Sequence, residues 1–279
     1  MRLATLKDGR LAGVLPDALV PLPGHDMIAL LSDEAAMTEA ARAIAFAARP
    51  GQSAVRLPLD EALLAAPLRP GKIIGVGRNY GAHASEVGGP KLAAPKLFLK
   101  PTSSVCGPGT AVQIPRAVTK PDWEAELAVI IGAPAFEVEE RVALDHVAGY
   151  TILNDISARE FQFDQPLAMT SFAKGLTDFC PIGPWIVTAD ELGEPWALDV
   201  DCTLNGEMVQ HGNTRDLIFS VPALIAYISR FMRLDTGDVI ATGTPAGSGH
   251  FRTPPRYLKS GDALALGVSG IGTLRHSIA

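Results

Sequence analysis

Short β-rich runs recur along most of this chain, and glycine or proline separates each run from the next. They are 97–100, 127–131, 149–153, 184–187, 199–204, 238–241 and 263–268. Apolar and β-branched runs of this length predict strands, whereas one long helix is predicted over 221–232, where the apolar residues fall on one stripe. Strands outnumber helices and do not alternate with them regularly, which disfavours a doubly wound sheet. The pattern predicts a β-rich α+β fold.

The first 70 residues differ from the rest. Short apolar runs between 2 and 22 predict small hairpins, and the Ala- and Glu-rich stretch 33–49 predicts a helix. A segment with Pro58, Pro67 and Pro70 follows and is typical of a linker. We therefore expect a small N-terminal α+β domain with its linker over 1–70, and the main domain over 71–279.

The composition excludes several classes of protein. The 279 residues are 47% hydrophobic and 19% charged, which suits a well-buried globular chain, and the net charge of -6 without a basic block argues against nucleic acid as a partner. The three cysteines are widely spaced and form no CxxC pair, so neither a disulfide framework nor a cysteine-based zinc site is indicated. Charged residues at the start and the lack of a long apolar run predict a cytoplasmic protein without a membrane partner.

Two acidic residues stand at alternate positions where an apolar run begins. Glu124 and Glu126 precede the run 127–131, so on a strand both point to one side, about 7 Å apart. Asp155 follows another apolar run and offers a third carboxylate. Three buried carboxylates without a counter-ion would be unfavourable, and an all-oxygen set suits Mg²⁺ or Mn²⁺ better than zinc. A solvated acidic strand face and a turn aspartate are the alternatives.

His83 and Glu86 stand three residues apart and share a face if the segment is a short helix. A carboxylate that holds an imidazole is a general-base arrangement. The alternative is an incidental pair on a surface helix. The surrounding glycines, with Gly88, Gly89 and Pro90 at the end of the segment, predict a lid over a substrate.

Two further segments offer groups for an anionic substrate. Lys174 is a lone cation in a mainly apolar stretch, so it must face solvent or a partner such as a substrate oxyanion. The segment 242–247 has hydroxyls and accessible amides that could seat a carboxylate, or it is an ordinary glycine turn. The run at 75–81 lacks the glycine spacing of a dinucleotide site, and GxxxxGK[ST], GxSxG and HExxH are absent from the sequence.

Nine segments between about residues 72 and 275, taken together and in order, resemble the fumarylacetoacetate hydrolase family. They are GRNYGAH with Glu86, FLKP, DWEAELAVIIG, GYTILNDISARE, KGLTDFCPIGPW, LNGE, GNT, GDVIATGTPAG and YLKSGDALALGVSGIGTL. Each segment is short, and the specificity lies in the ordered set. The resemblance implies a mixed β-sandwich roll with a variable N-terminal part, and a homodimer.

The resemblance also implies three groups of site residues. The metal ligands are Glu124, Glu126 and Asp155; the catalytic residues are His83, Glu86 and Lys174; the substrate contacts are Arg159, Gln162 and Thr244. By this resemblance the protein is a Mg²⁺- or Mn²⁺-dependent hydrolase that cleaves a carbon–carbon bond in a short 2,4-diketo acid of the acylpyruvate type, releasing pyruvate and a carboxylic acid.

Other reactions remain open at this point. The same pyruvate enolate arises when oxaloacetate is decarboxylated or when a double bond shifts in a hydroxymuconate-type diacid, and relatives catalyse each. An intact His83 and Glu86 pair favours hydrolysis, because only hydrolysis needs an activated water. A metal-carrying binding protein without turnover is a further alternative.

Overall fold

The predicted strands form two main sheets that share one core. The protein is described by a computed structural model over residues 1–88 and 92–279. The strands in this part of the chain are β1 (Arg2–Thr5), β2 (Leu11–Val14), β3 (Ala18–Leu22), β4 (Leu57–Pro58), β5 (Ile73–Gly77), β6 (Lys96–Lys100), β7 (Val105–Cys106), β8 (Ala111–Val112), β9 (Pro121–Asp122), β10 (Ala125–Ile131), β11 (Val147–Asn154), β12 (Ser157–Ala158), β13 (Cys180–Thr188), β14 (Asp199–Leu204), β15 (Glu207–Asn213), β16 (Val239–Ala241), β17 (Ala263–Val268) and β18 (Gly272–Ile278). The β-rich α+β prediction is confirmed, although β5, β15, β18 and several two-residue strands were not predicted.

The helices are few and mostly short. They are α1 (Met27–Leu31), α2 (Glu34–Ala48), α3 (Gly81–Val87), α4 (Arg159–Phe163), α5 (Thr170–Lys174), α6 (Ala189–Leu192) and α7 (Val221–Ser229). Asp33 caps α2 and Ser220 caps α7 by accepting backbone N–H bonds, as side-chain oxygens at these positions do. Helix α7 ends three residues before the predicted limit, because the N–H groups of Phe231 and Met232 both turn back to the carbonyl of Ile228.

The larger sheet contains eleven strands in the order β4-β3-β2-β1-β13-β11-β10-β16-β5-β6, with β7 paired to β13. Strand β1 pairs with β13 in antiparallel register, Arg2 opposite Val187. The strands of the predicted N-terminal domain therefore extend the sheet of the main domain. The boundary near residue 70 stays a prediction.

Strand β10 lies at the centre of the molecule and is buried on both faces. Leu127 and Val129 pack in the core shared with the five-stranded sheet β15-β14-β17-β18-β8. Ala128 and Ile130 pack in a second core that includes buried residues of α1 and α2. A strand covered on both faces reads as a continuous apolar run, which explains the sequence 127–131. Glu124 and Glu126 stand at the entrance to this covered strand.

His276 links the two sheets next to Glu124, through the side chain of Asn154. The Nδ2 group of Asn154, at the end of β11, donates to Nε2 of His276 in β18 at 2.9 Å. The Oδ1 atom of the same amide accepts the N–H of Glu124 at 2.9 Å. These two bonds fix the amide orientation, so His276 must be neutral with its proton on Nδ1.

The burial of His276 predicts a loss of stability in mild acid. Burial lowers the pKa of His276 from 6.5 to about 4. The unfolded state takes up the proton first as the pH falls, so this contribution is complete above about pH 6.5 and lost by about pH 4. The loss is about 3 kcal/mol at about 1.4 kcal/mol per pKa unit. Between pH 7 and about pH 4.5, the free energy of unfolding in urea should decrease more for the wild type than for His276→Gln, whose side chain cannot titrate. Equal decreases would contradict the assignment of this loss to His276.

Candidate active site and metal centre

The three predicted carboxylates meet at one end of the β10–β11 pair. Ala125 lies opposite Asn154 in antiparallel register, so the residues just outside the pair, Glu124 and Asp155, are neighbours. The N–H of Asp155 donates to the carbonyl of Glu124 at 2.9 Å. Oxygen atoms of Glu124, Glu126 and Asp155 all lie within 4.8 Å of one another, and all three residues are buried. The alternative of a solvated acidic face is excluded by this burial.

Two lysines pair with the cluster. Lys174, the last residue of α5, donates to Glu124 Oε2 at 2.7 Å, to Asp155 Oδ2 at 2.6 Å and to Ser157 Oγ at 2.7 Å. Lys100, the last residue of β6, donates to the other oxygen of Asp155 at 2.7 Å. Lys174 is therefore paired, one of the two outcomes expected for a cation in an apolar stretch, and its partners in the protein are the carboxylates themselves.

Arg159 completes the set of charges. Its Nη1 atom lies 2.7 Å from Glu124 Oε1, and its Nε atom donates to Asp122 Oδ2 at 2.8 Å. Within the described residues the buried cluster thus contains four carboxylates, those of Asp122, Glu124, Glu126 and Asp155, against three cations, those of Lys100, Lys174 and Arg159. One negative charge is left over.

Glu126 is the carboxyl of this cluster whose ionised form is disfavoured. Burial raises the pKa of Glu126 well above its usual value, and the charges of Asp155 and Glu124 add to this rise. Burial would also raise the pKa of Glu124, but the cations Lys174 and Arg159 outweigh it and hold that pKa low. A divalent cation bound among the three carboxylates would remove the like-charge repulsion, and hard oxygen donors suit such an ion. The residues present therefore fit a metal ion.

The predicted dyad is formed at the edge of the same cavity. His83 lies in α3, and its Nδ1 atom is 3.1 Å from Glu86 Oε2. The Oε1 atom of Glu86 accepts the N–H of Gly247 at 3.0 Å, and Oε2 of Glu126 accepts the N–H of Gly243 at 2.7 Å. The segment 242–247 does bind carboxylates through its amides, but they are carboxylates of the protein itself.

The predicted lid includes Gly89 and Pro90, which lie outside the described residues, and it stays a prediction.

A cavity of about 280 Å³ opens onto the cluster. Its polar lining includes His83, Glu124, Arg159, Gln162, Lys174 and Thr244. Its apolar lining is Val76, Val87, Phe98, Phe163, Ala168 and Phe251. A larger groove of about 630 Å³ lies elsewhere, between the β1–β2 turn and residues 64–69. That groove contains none of the clustered carboxylates, so cavity size alone does not identify the site.

The three predicted substrate contacts differ in what they can offer. Arg159 has a buried Nη2 group with no hydrogen-bond partner among the described residues, whereas Gln162 already accepts a bond from Arg159 Nη1 at 2.8 Å. The hydroxyl of Thr244 donates to the carbonyl of Ala125 and accepts from Gln210. Thr244 is therefore held as part of the wall, and Arg159 has the free donor.

Sequence reasoning missed three residues of this site. Lys100 was visible only as part of the FLKP segment, and Asp122 only as the residue that begins the acidic motif. Phe251 lies in a segment without a motif, and no pattern linked it to the site. A charged residue such as Lys100 at the end of an apolar strand is a signal for a buried ion pair, since an isolated charge there would be unfavourable.

The fold and the carboxylate cluster together indicate the class of protein. In a β-rich α+β fold, the buried carboxylate triad offers the donors for a metal ion, and the His83–Glu86 pair and Lys174 lie beside it. The family model of the fumarylacetoacetate (FAA) hydrolase C-terminal domain matches residues 72–279. The chain belongs to the fumarylacetoacetate hydrolase family, as the resemblance indicated, and members of this family include hydrolases and isomerases.

Individual relatives agree with this assignment. A protein of Burkholderia multivorans, assigned as a hydrolase with no substrate in its name, is 49% identical over 205 residues, which span 73% of this chain and 72% of that protein. Maleylpyruvate hydrolase from Sphingobium sp. SYK-6, solved with manganese(II) and pyruvate, is 34% identical with a TM-score of 0.82, covering 100% of this chain and 99% of that one. The 5-carboxymethyl-2-hydroxymuconate delta-isomerase of Mycobacterium smegmatis is 33% identical with a TM-score of 0.76, covering 100% and 98%.

None of the helices in the described part of the chain has the length and apolar character needed to cross a bilayer.

Proposed function

We propose that this protein hydrolyses a carbon–carbon bond in a short 2,4-diketo acid of the acylpyruvate type, releasing pyruvate and a carboxylic acid. The observation that carries the proposal is the His83–Glu86 pair, 3.1 Å between Nδ1 and Oε2, on the wall of the cavity that contains the carboxylate cluster. Hydrolysis requires a base that activates water, and this pair supplies one. The similarity to a maleylpyruvate hydrolase supports the same class of substrate.

The metal in this proposal is Mg²⁺ or Mn²⁺, held by Glu124, Glu126 and Asp155. When bound, such an ion would supply Lewis-acid polarisation of the 2-oxo acid end of the substrate. The manganese in the maleylpyruvate hydrolase structure supports this choice, as does the all-oxygen donor set.

His83 is the proposed general base. Because Glu86 faces Nδ1, its carboxylate accepts a hydrogen bond from the Nδ1–H group and leaves the lone pair on Nε2 for a water molecule. Nε2 takes one proton from the water, and the resulting hydroxide adds to the carbonyl at C4. The bond between C3 and C4 then breaks, its electron pair stays on C3 as the pyruvate enolate, and the imidazolium returns a proton to C3.

The cations stabilise the enolate as it forms. Lys174 and Arg159 both line the cavity beside the carboxylate cluster, and the Nη2 group of Arg159 has no hydrogen-bond partner among the described residues. Preorganised donors of this kind are usually the largest single contribution to catalysis, because they need no rearrangement when the charge develops.

Replacing His83 separates hydrolysis from the rival reactions. Decarboxylation of oxaloacetate and a double-bond shift also pass through an enolate, and the similarity to a hydroxymuconate isomerase keeps the shift in consideration. His83→Ala should lower pyruvate release from acetylpyruvate about 10²- to 10⁴-fold, whereas oxaloacetate decarboxylation, if present, should change little. The assay measures pyruvate with Mg²⁺, with Mn²⁺ and with EDTA. Metal-dependent turnover of oxaloacetate or a hydroxymuconate, with no acylpyruvate cleavage by the wild type, would overturn the hydrolase proposal.

We further propose a homodimer located in the cytoplasm. Strand β6 ends the order of the larger sheet and carries exposed Leu97 and Leu99, and Phe172 of the adjacent α5 is also exposed. An exposed apolar strand edge is unfavourable in a monomer and supports association of two chains. Light scattering gives the mass in solution directly.

A further inference from the structure

Asp122 is a buried carboxylate that lies two residues before Glu124 and takes no part in the metal cluster. Its Oδ1 atom accepts the N–H groups of Trp123 at 2.8 Å and Gly249 at 2.7 Å. Its Oδ2 atom accepts the N–H of His250 at 2.9 Å and Nε of Arg159 at 2.8 Å. Each oxygen thus accepts two hydrogen bonds, which fills the acceptor capacity of the carboxylate. It therefore has no lone pair left for a metal ion.

The turn that Asp122 holds carries an aromatic wall of the cavity. Phe251 follows the two residues bonded to Asp122, and its ring lies 5.8 Å from the ring of His83, edge to face. The same ring lies 5.9 Å from the guanidinium carbon of Arg159 and 5.8 Å from the ring of Phe163. Phe251 therefore touches the proposed base and the proposed substrate-binding arginine together.

The close approach of this turn to Asp122 depends on a glycine. A Cβ atom at Gly249 would lie 2.9 Å from Asp122 Oδ1 and 2.7 Å from the Trp123 ring, and it would overlap the carbonyl oxygen of Arg256. Only glycine allows the backbone to approach this closely. The turn is therefore docked against Asp122 in one position.

We propose that Asp122 is a positioning residue that sets the width of the acyl-binding part of the cavity. It fixes Arg159, which lines the cavity, through Nε, and it fixes Phe251 through the N–H groups of Gly249 and His250. One carboxylate thereby ties the residue that binds the acid end of the substrate to the wall that limits the acyl end. This inference rests on the proposed function for its substrate assay, whereas the binding measurements below do not depend on turnover.

The test uses Asp122→Asn, with Asp238→Asn as the matched control. Asparagine replaces one acceptor oxygen of Asp122 by an NH₂ group. This donor then faces the N–H groups of the turn or of Arg159, and the hydrogen bonds on that side are lost. Asp238 is equally buried and accepts the N–H groups of Lys72 at 3.0 Å and Asp235 at 2.6 Å, away from the cavity. Both variants should lower the melting temperature, so the melting temperature does not decide the question.

Two binding measurements test whether Asp122 positions Arg159. In Asp122→Asn the affinity for Mn²⁺ alone should stay within about threefold of wild type, since the three ligands are intact. The affinity of the Mn²⁺-loaded protein for oxalate, a mimic of the pyruvate enolate, should fall about tenfold or more, the size expected when a hydrogen bond to a charged group is lost. Asp238→Asn should leave both unchanged. Loss of Mn²⁺ binding in Asp122→Asn would instead make Asp122 part of the metal site, and unchanged oxalate affinity would overturn the positioning of Arg159.

A measurement of substrate specificity tests whether Asp122 positions Phe251. Phe251→Ala should widen the cavity and shift relative kcat/KM from acetylpyruvate toward a longer acylpyruvate such as hexanoylpyruvate. Asp122→Asn should shift this ratio in the same direction, and Asp238→Asn should not. A shift in Phe251→Ala without one in Asp122→Asn would overturn the link to the turn. If the wild type binds Mn²⁺ and oxalate but cleaves no acylpyruvate, the proposed function fails, whereas the oxalate comparison still tests Asp122.

Discussion

Replacing Lys174 by methionine should lower kcat about 10²- to 10³-fold with little change in KM. The ammonium lies 2.7 Å from Glu124 and 2.6 Å from Asp155, and in the proposed mechanism it stabilises the charge of the leaving enolate. A donor that acts mainly on developing charge stabilises the transition state more than the bound substrate, so its loss appears in kcat. Methionine keeps much of the volume of the lysine side chain and removes the charge together with its three N–H donors.

The same substitution should not weaken metal binding. Lys174 is a cation beside two of the three proposed ligands, so its removal makes the cluster more negative. Titration with Mn²⁺ should therefore show an affinity equal to or higher than that of the wild type. Lys72→Met removes another lysine–aspartate ion pair, with Asp235 and Asp238, away from the cavity and serves as the control. A rise in KM at unchanged kcat would show that Lys174 only binds substrate.

The strands and the carboxylate cluster were predictable because both follow from local patterns. The apolar run 127–131 and the alternation of Glu124 with Glu126 define a strand and the side to which its acids point. Asp155 could be added because it follows the next buried strand, and antiparallel neighbours bring such ends together. The histidine dyad followed from a spacing of three on a short helix, which the structure confirms in α3.

The remaining features depend on contacts between distant parts of the chain. Asp122 and Gly249 meet across 127 residues, and Lys100 reaches Asp155 across 55. Nothing near Phe251 in the sequence indicates that its ring lies against His83, because that contact arises from the docking of a turn and not from a periodic pattern. For the same reason the partner of Lys174 could not be assigned to carboxylates rather than to a substrate.

Replacing Glu126 by glutamine should lower metal affinity about 10³-fold and make the metal-free protein at least as stable as the wild type. Two unit charges about 4 Å apart interact by about 4 kcal/mol at the effective dielectric constant of about 20 that applies even to buried protein sites, and this corresponds to about three powers of ten. The side-chain oxygen of glutamine can still accept the N–H of Gly243, as Oε2 of Glu126 does at 2.7 Å. The variant therefore removes a carboxyl whose ionised form is disfavoured in the metal-free protein, and it leaves no backbone donor unpaired.

Glu126→Gln should weaken metal binding without destabilising the metal-free protein, and this combination is specific to a metal centre. Burial and the charges of Asp155 and Glu124 raise the pKa of Glu126, which shows that its ionised form is disfavoured when no cation is present. In EDTA the melting temperature of Glu126→Gln should equal or exceed that of the wild type. With excess Mg²⁺ or Mn²⁺ the wild type should gain stability by mass action and the variant should not. If Glu126→Gln melted well below the wild type in EDTA, Glu126 would be needed for folding rather than for binding a cation, and the metal centre would lose its main support.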